Sequence, residues 1–365
     1  MVRPKSLLFL LSNNQLVTAP MTVQDDPWKI FDADFPSDGT LEERMQFLIG
    51  YATLAPSGHN TQPWLFATGP DWVDVLADRT RALPVVDPHD RELAISCGAA
   101  VGTFEVAARR FSLQTTVATS PDSDFSDHLV RIIVADGAQP DDSETALFNA
   151  IKSRRTDRSA YFMEELPDDL IPKCRDIVES VGVSVQFFED GTSVETIAGL
   201  VAEGDRVQFD DPSFLRELAS WVHSSRLGSR DGKSVTSLGV LDILTPAARF
   251  VIRTFDLGDN VTAADAKKIL GRSPALALLA SNSDTVDDWL NIGRALAKML
   301  LKFTSVGYSA SYLNQPIQVA ALRLKLVEAS GVAGYPQVLL RVGRSDENPE
   351  PSARRKVSDV ILTLA

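Results

Sequence analysis

Cysteine is nearly absent from this chain. Cys97 and Cys174 are the only two among 365 residues, which rules out a disulfide framework and fits a reducing compartment. Histidine is almost as scarce: His59, His89, His128 and His223 stand at no metal-ligand spacing, so a zinc or iron site is not expected. Basic charge is in deficit, with 36 Lys and Arg against 49 Asp and Glu. The resulting net charge of −13 disfavours nucleic acid and anionic membrane surfaces as partners. No apolar run approaches the roughly 20 residues needed to span a bilayer. Arg3, Lys5 and Leu7–Leu11 outline an export signal, but the apolar stretch is short and Asn13-Asn14-Gln15 breaks it. Met21 is therefore read as the start of translation, residues 1–36 as a tail, and the cytoplasm as the location.

What is present is concentrated in a few polar segments. The densest is the run from Ala55 to Leu65, Ala-Pro-Ser-Gly-His-Asn-Thr-Gln-Pro-Trp-Leu. Upstream, Thr40 and Glu43 have capping-box spacing, and Met45, Leu48, Ile49 and Ala52 recur at helical intervals. Pro56 and Gly58 end that helix, and Trp64–Ala67 reads as a short buried strand. Between them, Ser57, His59, Asn60 and Gln62 offer directed hydrogen bonds suited to the edge of a planar heterocycle. An ordinary helix-to-strand turn, with His59 facing water, accounts for the same residues.

Two arginine clusters stand out against the acidic background. Arg154, Arg155 and Arg158 follow a helix containing Leu147, Ala150 and Ile151; if the helix continued, Arg154 and Arg158 would share a face. Arg354 and Arg355 form the second cluster, close to Asp346, Glu347 and Glu350. Clustered guanidinium forks suit a phosphate; a solvated helix end and surface charge mixing are the competing readings. The chain also carries a degenerate repeat. Cys97-Gly98-Ala99-Ala100 and Ile292-Gly293-Arg294-Ala295 each open a long helix, ending near Ser112-Leu113 and at Gly307-Tyr308. Strands Trp64–Ala67 and Ala275–Ala280 precede these helices, and Leu129–Ala135 and Val338–Val342 follow them.

The Pro-Ser-x-x-Asn-x-Gln-Pro-Trp loop resembles that of the nitroreductase-like flavoproteins, and more narrowly of their Acg-type, FMN-binding branch. Leu83–Pro88, Arg91-Glu92-Leu93, Ser96–Ala100, Arg154-Arg155-Thr156-Asp157-Arg158, Gly334–Gly343 and Pro351–Arg355 follow in the family order. The resemblance implies an α+β fold with helices around mixed sheets. It also implies internal duplication: each motif occurs once, so one chain would form a fused pseudo-dimer, plausibly monomeric, with one FMN site. The halves are expected at residues 40–148 and 149–365, with an insertion at about 190–262 acting as a lid.

By the same resemblance, Ser57, His59, Asn60 and Gln62 lie at the flavin ring. Arg154, Arg155, Thr156 and Arg158 reach the phosphate, ribityl chain and pyrimidine edge. Arg354 and Arg355 complete the anion site, and Tyr308 and Ser309, where the family has Gly-Leu, form the opposite wall. No catalytic acid or base and no metal is required, since the flavin carries the chemistry. The implied activity is FMN-dependent transfer of hydride or electrons from NAD(P)H to a nitroaromatic or quinone-like acceptor, without a glycine-rich dinucleotide fingerprint. The alternative is an FMN-sequestering protein with little turnover.

Overall fold

The computed structural model describes residues 26–120, 126–189, 191–223, 229–234 and 273–362. Helix α1 (Leu41–Ala52) opens on the Thr40–Glu43 capping box and buries Met45, Leu48, Ile49 and Ala52. A hairpin follows, β1 (Trp64–Thr68) and β2 (Trp72–Ala77), then α2 (Arg91–Arg110), β3 (Leu113–Thr119) and β4 (His128–Asp136). These strands form an antiparallel sheet in the order β1-β2-β4-β3. Helix α3 (Asp142–Ala150), capped by Asp141 and Glu144, leads into the second part.

That part repeats the plan with additions. Helix α4 (Leu170–Glu179) precedes β5 (Ser184–Phe188). Helices α5 (Gly191–Phe209) and α6 (Pro212–Ser220) and the two-residue strands β6 (Val222–His223) and β7 (Lys233–Ser234) come next. Then follow β8 (Ala275–Ser281), α7 (Val286–Ser305) and β9 (Ser309–Tyr312). The short α8 (Gln315–Gln318) and α9 (Ala320–Ser330) lead to β10 (Tyr335–Gly343). The second antiparallel sheet is ordered β5-β8-β10-β9. First, second, fourth, third: the two sheets share one topology.

The duplication therefore holds, but with a shifted correspondence. By position in the sheets β8 matches β2, and Trp64–Ala67 (β1) matches β5; the pairing of Trp64–Ala67 with Ala275–Ala280 was one strand off. The four central strands of each sheet are antiparallel, and parallel pairing enters at the edges, through the bridges Phe66↔Ile361 and Thr156↔Ala310. Strand β3 alternates exposed and covered residues, whereas β8 is buried throughout because helices cover both faces of its sheet.

Both long helices start about two turns earlier than expected. Asp87 accepts from the Leu93 amide at 2.9 Å, and a Thr285–Asp288 capping box starts α7. Between the sheets α2 and α7 cross backbone to backbone. A Cβ on Gly98 would lie 2.1 Å from the Leu290 carbonyl oxygen, and one on Gly293 2.0 Å from that of Ile95. The contact is reciprocal, as across a two-fold axis. Glu105 of α2 bonds Arg294 at 2.8 Å and Lys298 at 3.1 Å of α7; burial alone would raise this carboxyl, but the two cations hold it below its usual range.

Residues 26–36, read above within a tail, pack on the first core through Ile30, and Tyr51 donates to Asp32 at 2.8 Å. Residues 1–25 and the later part of the expected insertion, including Ser237-Leu238-Gly239, lie outside the described residues. Among the described residues no helix is long and apolar enough to cross a membrane, and no cluster of His, Cys, Asp or Glu could hold a metal ion.

Candidate functional site

Where the two parts meet, a cavity of about 940 Å³ opens between the loop after α1, the segment after α3, the β9–α8 connection and the chain near Arg354. The loop after α1 is held in an unusual backbone state. His59, Asn60 and Gln62 have φ of 47°, 56° and 53°, in the left-handed region that non-glycine side chains rarely enter. Such strain persists only where surrounding contacts fix it. Here Ser57 Oγ accepts from the Gln62 amide at 3.0 Å, and the Gly58 amide donates to Ser96 Oγ at 3.3 Å.

Asn60 is fully committed. Its Nδ2 donates to the carbonyls of Gly232 and Ala353, each at 3.0 Å, and its Oδ1 accepts from Arg354 at 3.0 Å. Gln62 is buried and holds two other segments, donating to the Arg230 carbonyl at 2.8 Å and accepting from the Arg355 amide at 2.8 Å. Asn60→Ala should thus lower stability by about 2 kcal/mol, read as a fall in melting temperature. An unchanged melting temperature would show that the clasp contributes nothing.

The segment after α3 does not continue the helix. Arg155 onward runs extended, with Thr156 bridged to Ala310 of β9, so Arg154 and Arg158 are spread along the cavity wall instead of stacked on a helix face. Arg154 is buried, and its Nη1 has no hydrogen-bond partner. Arg155 Nε and Arg354 Nε are likewise unpartnered, as is Nη1 of the buried Arg341. All four line the cavity, and among the described residues none of them forms an ion pair with a carboxylate. Burial, with Arg154 and Arg155 alongside, draws the Arg354 guanidinium down to about 9. The indole of Trp28 lies 4.8 Å from the Arg155 guanidinium and 5.5 Å from that of Arg354, and donates to the Ser352 carbonyl at 3.0 Å.

A second group of cationic side chains faces the same space. Burial, then Lys233 and Arg158, holds His59 well below its usual range, so it is neutral at pH 7. Opposite, Glu92 accepts from Arg91, Asn314 and Gln318 through one oxygen, at 3.1, 3.3 and 2.9 Å. Asp205 of α5, Phe214 and Leu218 of α6 and Lys233 of β7 also line the cavity; Asp205 accepts from Gln315 at 2.9 Å, and beside the cavity Glu217 of α6 accepts from the amides of Val85 and Val86 at 2.9 and 3.0 Å.

Comparison with known proteins decides the family. No family model matches the chain. "Putative NAD(P)H nitroreductase Rv3131" of Mycobacterium tuberculosis is 31% identical over 328 residues, spanning 87% of this chain and 91% of that protein. This chain belongs to the nitroreductase-like family. A second relative from the same organism, "Putative NAD(P)H nitroreductase acg", is 28% identical over 325 residues, 87% of this chain and 95% of that one. Among solved structures, the FMN-dependent nitroreductase NfnB from Mycobacterium smegmatis in complex with NADPH aligns with 57% of this chain and 95% of its own, at 15% identity and TM-score 0.38.

Within this nitroreductase-like chain the cavity gathers Ser57, His59, Asn60, Arg154, Arg155, Thr156, Arg158 and Arg354. Gln62, Tyr308, Ser309 and Arg355 are not in its lining. Tyr308 is buried in the second core, and the wall expected from Tyr308 and Ser309 is made by Ser311 and Tyr312, further along the same strand. Arg355 instead ties the Gln62 and Trp64 carbonyls, at 3.0 and 3.3 Å, to Asp78 at 3.3 Å. Sequence reasoning missed Trp28, Arg341 and Lys233. Arg341 carried a usable signal, a single charge inside the apolar run Val338-Leu339-Leu340-Arg341-Val342.

Proposed function

We propose that this protein is an FMN-dependent oxidoreductase of nitroreductase type, taking electrons from NAD(P)H and passing them to a small electron-poor acceptor such as a nitroaromatic or a quinone. One observation carries the reading. Four arginines line one cavity, each with a buried N–H that has no partner, in a chain of net charge −13. Buried guanidinium groups left uncompensated are costly, and a phosphate dianion would satisfy several of them at once. FMN fits this donor set, and the volume lies within the range of cofactor pockets, about 300–1,000 Å³. The names of the mycobacterial relatives support a nicotinamide donor.

In this reading Arg154, Arg155 and Arg354 hold the phosphate, with Arg341 deeper in the wall. Trp28, itself packed on the first core, lies against two of these cations. The extended segment from Arg155 to Arg158 follows the ribityl chain toward the ring, which Ser57 and His59 flank. Bound FMN would supply the hydride and electron transfer, and the protein's part is to orient it and exclude water. Residues 40–148 and 149–365 are read as the two halves, supported by their matching strand orders, and the cytoplasm as the site of action.

The insertion, read as a lid over the cavity, gives weight to a second reading. Gly232 and Asn60 are joined by two hydrogen bonds, 3.0 and 3.2 Å, and Gln62 holds Arg230, so the insertion is fastened to the loop it covers. A cover so fastened suits retention of FMN with slow turnover. Titration of FMN-free protein should saturate near one FMN per chain; two per chain would rule out a single site in a fused pseudo-dimer. Anaerobic stopped-flow mixing of the loaded protein with NADPH, then NADH, separates the readings. Rapid bleaching of the flavin bands identifies a reductase, and persistent bands with both donors identify sequestration. Protein that takes up no FMN rules out both.

A further inference from the structure

We propose that a groove beside α6 takes the adenosine end of the electron donor, and that Arg216 binds the 2′-phosphate there, so that NADPH is preferred to NADH. The proposal rests on the reading that the neighbouring cavity holds FMN reduced by a nicotinamide nucleotide.

Helix α6 stands between two cavities. Phe214 and Leu218, one turn apart, line the cofactor cavity. Ser213, Arg216, Glu217 and Ser220 follow the i, i+3, i+4, i+7 spacing of a different stripe and line a second cavity of about 830 Å³. His223 and Asp231 line both, so a single layer of side chains separates the two spaces. A donor must bring its nicotinamide to the flavin while its other half lies elsewhere. The groove adjoins the flavin's cavity and has the volume of a small-ligand site, about 300–1,000 Å³.

Its lining has the two chemistries of an adenosine phosphate. Pro84, Val85 and Trp221 supply apolar surface, and the Trp221 and His223 rings stand edge to face with centroids 6.3 Å apart. A purine stacks on surface of this kind. Arg216 supplies the charge. It is exposed, its Nη2 donates to Ser213 Oγ at 3.0 Å, and it has no ion pair with a carboxylate among the described residues. Both acids of the groove are committed elsewhere. Glu217 accepts from the Val85 and Val86 amides, and Asp231 accepts from Arg81 at 2.7 Å and Ser229 at 3.1 Å and lies 3.4 Å from His223. The guanidinium fork is therefore available to an anion. A chain of net charge −13 repels a polyanionic donor overall, so a local cation decides where that donor docks. NADPH differs from NADH by one phosphate on the adenosine ribose, and a cation in this groove discriminates between them.

The test titrates FMN-loaded wild type, Arg216→Met and Arg216→Lys by calorimetry with 2′,5′-ADP and 5′-AMP, fragments of NADPH and NADH without nicotinamide. Wild type should bind 2′,5′-ADP about tenfold more tightly than 5′-AMP, as for one charge-assisted phosphate contact. Arg216→Met should erase that advantage, and Arg216→Lys should keep part of it. In stopped flow, the NADPH concentration that half-saturates flavin reduction should rise about tenfold in Arg216→Met, while that of NADH stays in place. Equal affinity of wild type for the two fragments overturns the proposal, as does an advantage that persists in Arg216→Met. Loss of both fragments alike in Arg216→Met puts the side chain on the 5′-phosphate and removes the preference for NADPH. Protein that binds neither fragment, yet whose flavin bleaches with NADPH, overturns the proposal and leaves the FMN reading intact. Wild type that takes up no FMN overturns both.

Discussion

Arg154→Met should abolish retention of FMN while raising the melting temperature of the FMN-free protein. The two effects have opposite signs because the same charge is a burden without the anion and a ligand with it. Arg154 is buried, one of its nitrogens has no partner, and its guanidinium repels those of Arg155 and Arg354. Replacing an uncompensated buried cation by an apolar side chain of similar length should stabilise the fold by about 2 kcal/mol. For a chain of this size that is a rise of about 2–3 °C. Binding responds the other way. A charge-assisted pair to phosphate contributes about 3 kcal/mol, so the dissociation constant should rise on the order of a hundredfold. Calorimetry of the apoprotein and an FMN titration read both. A variant that melts lower and binds FMN normally would remove Arg154 from the anion site.

Gly293→Val and Gly98→Val should each cost more than about 3 kcal/mol and largely prevent folding. Overpacking in a core usually costs about 1–3 kcal/mol, when side chains can shift to make room. Here the atoms met are backbone carbonyls of the facing helix, at 2.0 and 2.1 Å from the added carbon. Relief requires separating α2 from α7, and with them the two sheets. Gly199→Ala is the control, because its Cβ would meet nothing within 4 Å and it lies inside α5. It should be neutral or stabilising by about 0.5–1 kcal/mol. Thermal unfolding and the yield of folded protein separate the three variants. Equal stability of Gly293→Val and Gly199→Ala would deny the close crossing.

Much of this was legible from local signals. The Thr40–Glu43 box, the apolar spacing of α1 and the strand at Trp64 are decided within a few residues of chain, and they fold as read. The equivalence of Gly98 and Gly293 came from aligning two weakly similar helix openings, and the reciprocal contacts of α2 and α7 bear it out. Other features depend on partners far away in sequence. Trp28 joins the arginines through Ser352, and Lys233 reaches the cavity because Gly232 meets Asn60. No window of sequence contains both members of such a pair. The helix starts were misplaced for a smaller reason: Asp87 caps α2 from a loop, three residues before the capping position itself. The left-handed backbone of His59, Asn60 and Gln62 is imposed by contacts from four segments, and residue type gives little hint of it for His59 and Gln62.

The clasp between Asn60 and Arg354 joins residues 294 apart in sequence, and Gln62 meets Arg355 across a similar span. Closing a loop of that length has an entropic cost that only prior folding of the intervening elements can offset. Each sheet can form from its own strands, and α2 can then dock on α7. The arginine cluster comes together after both events. FMN then cannot act as a nucleus on which either sheet folds. It arrives at an assembled scaffold and slows its dissolution, so its imprint should appear in the unfolding rate far more than in the rate of refolding.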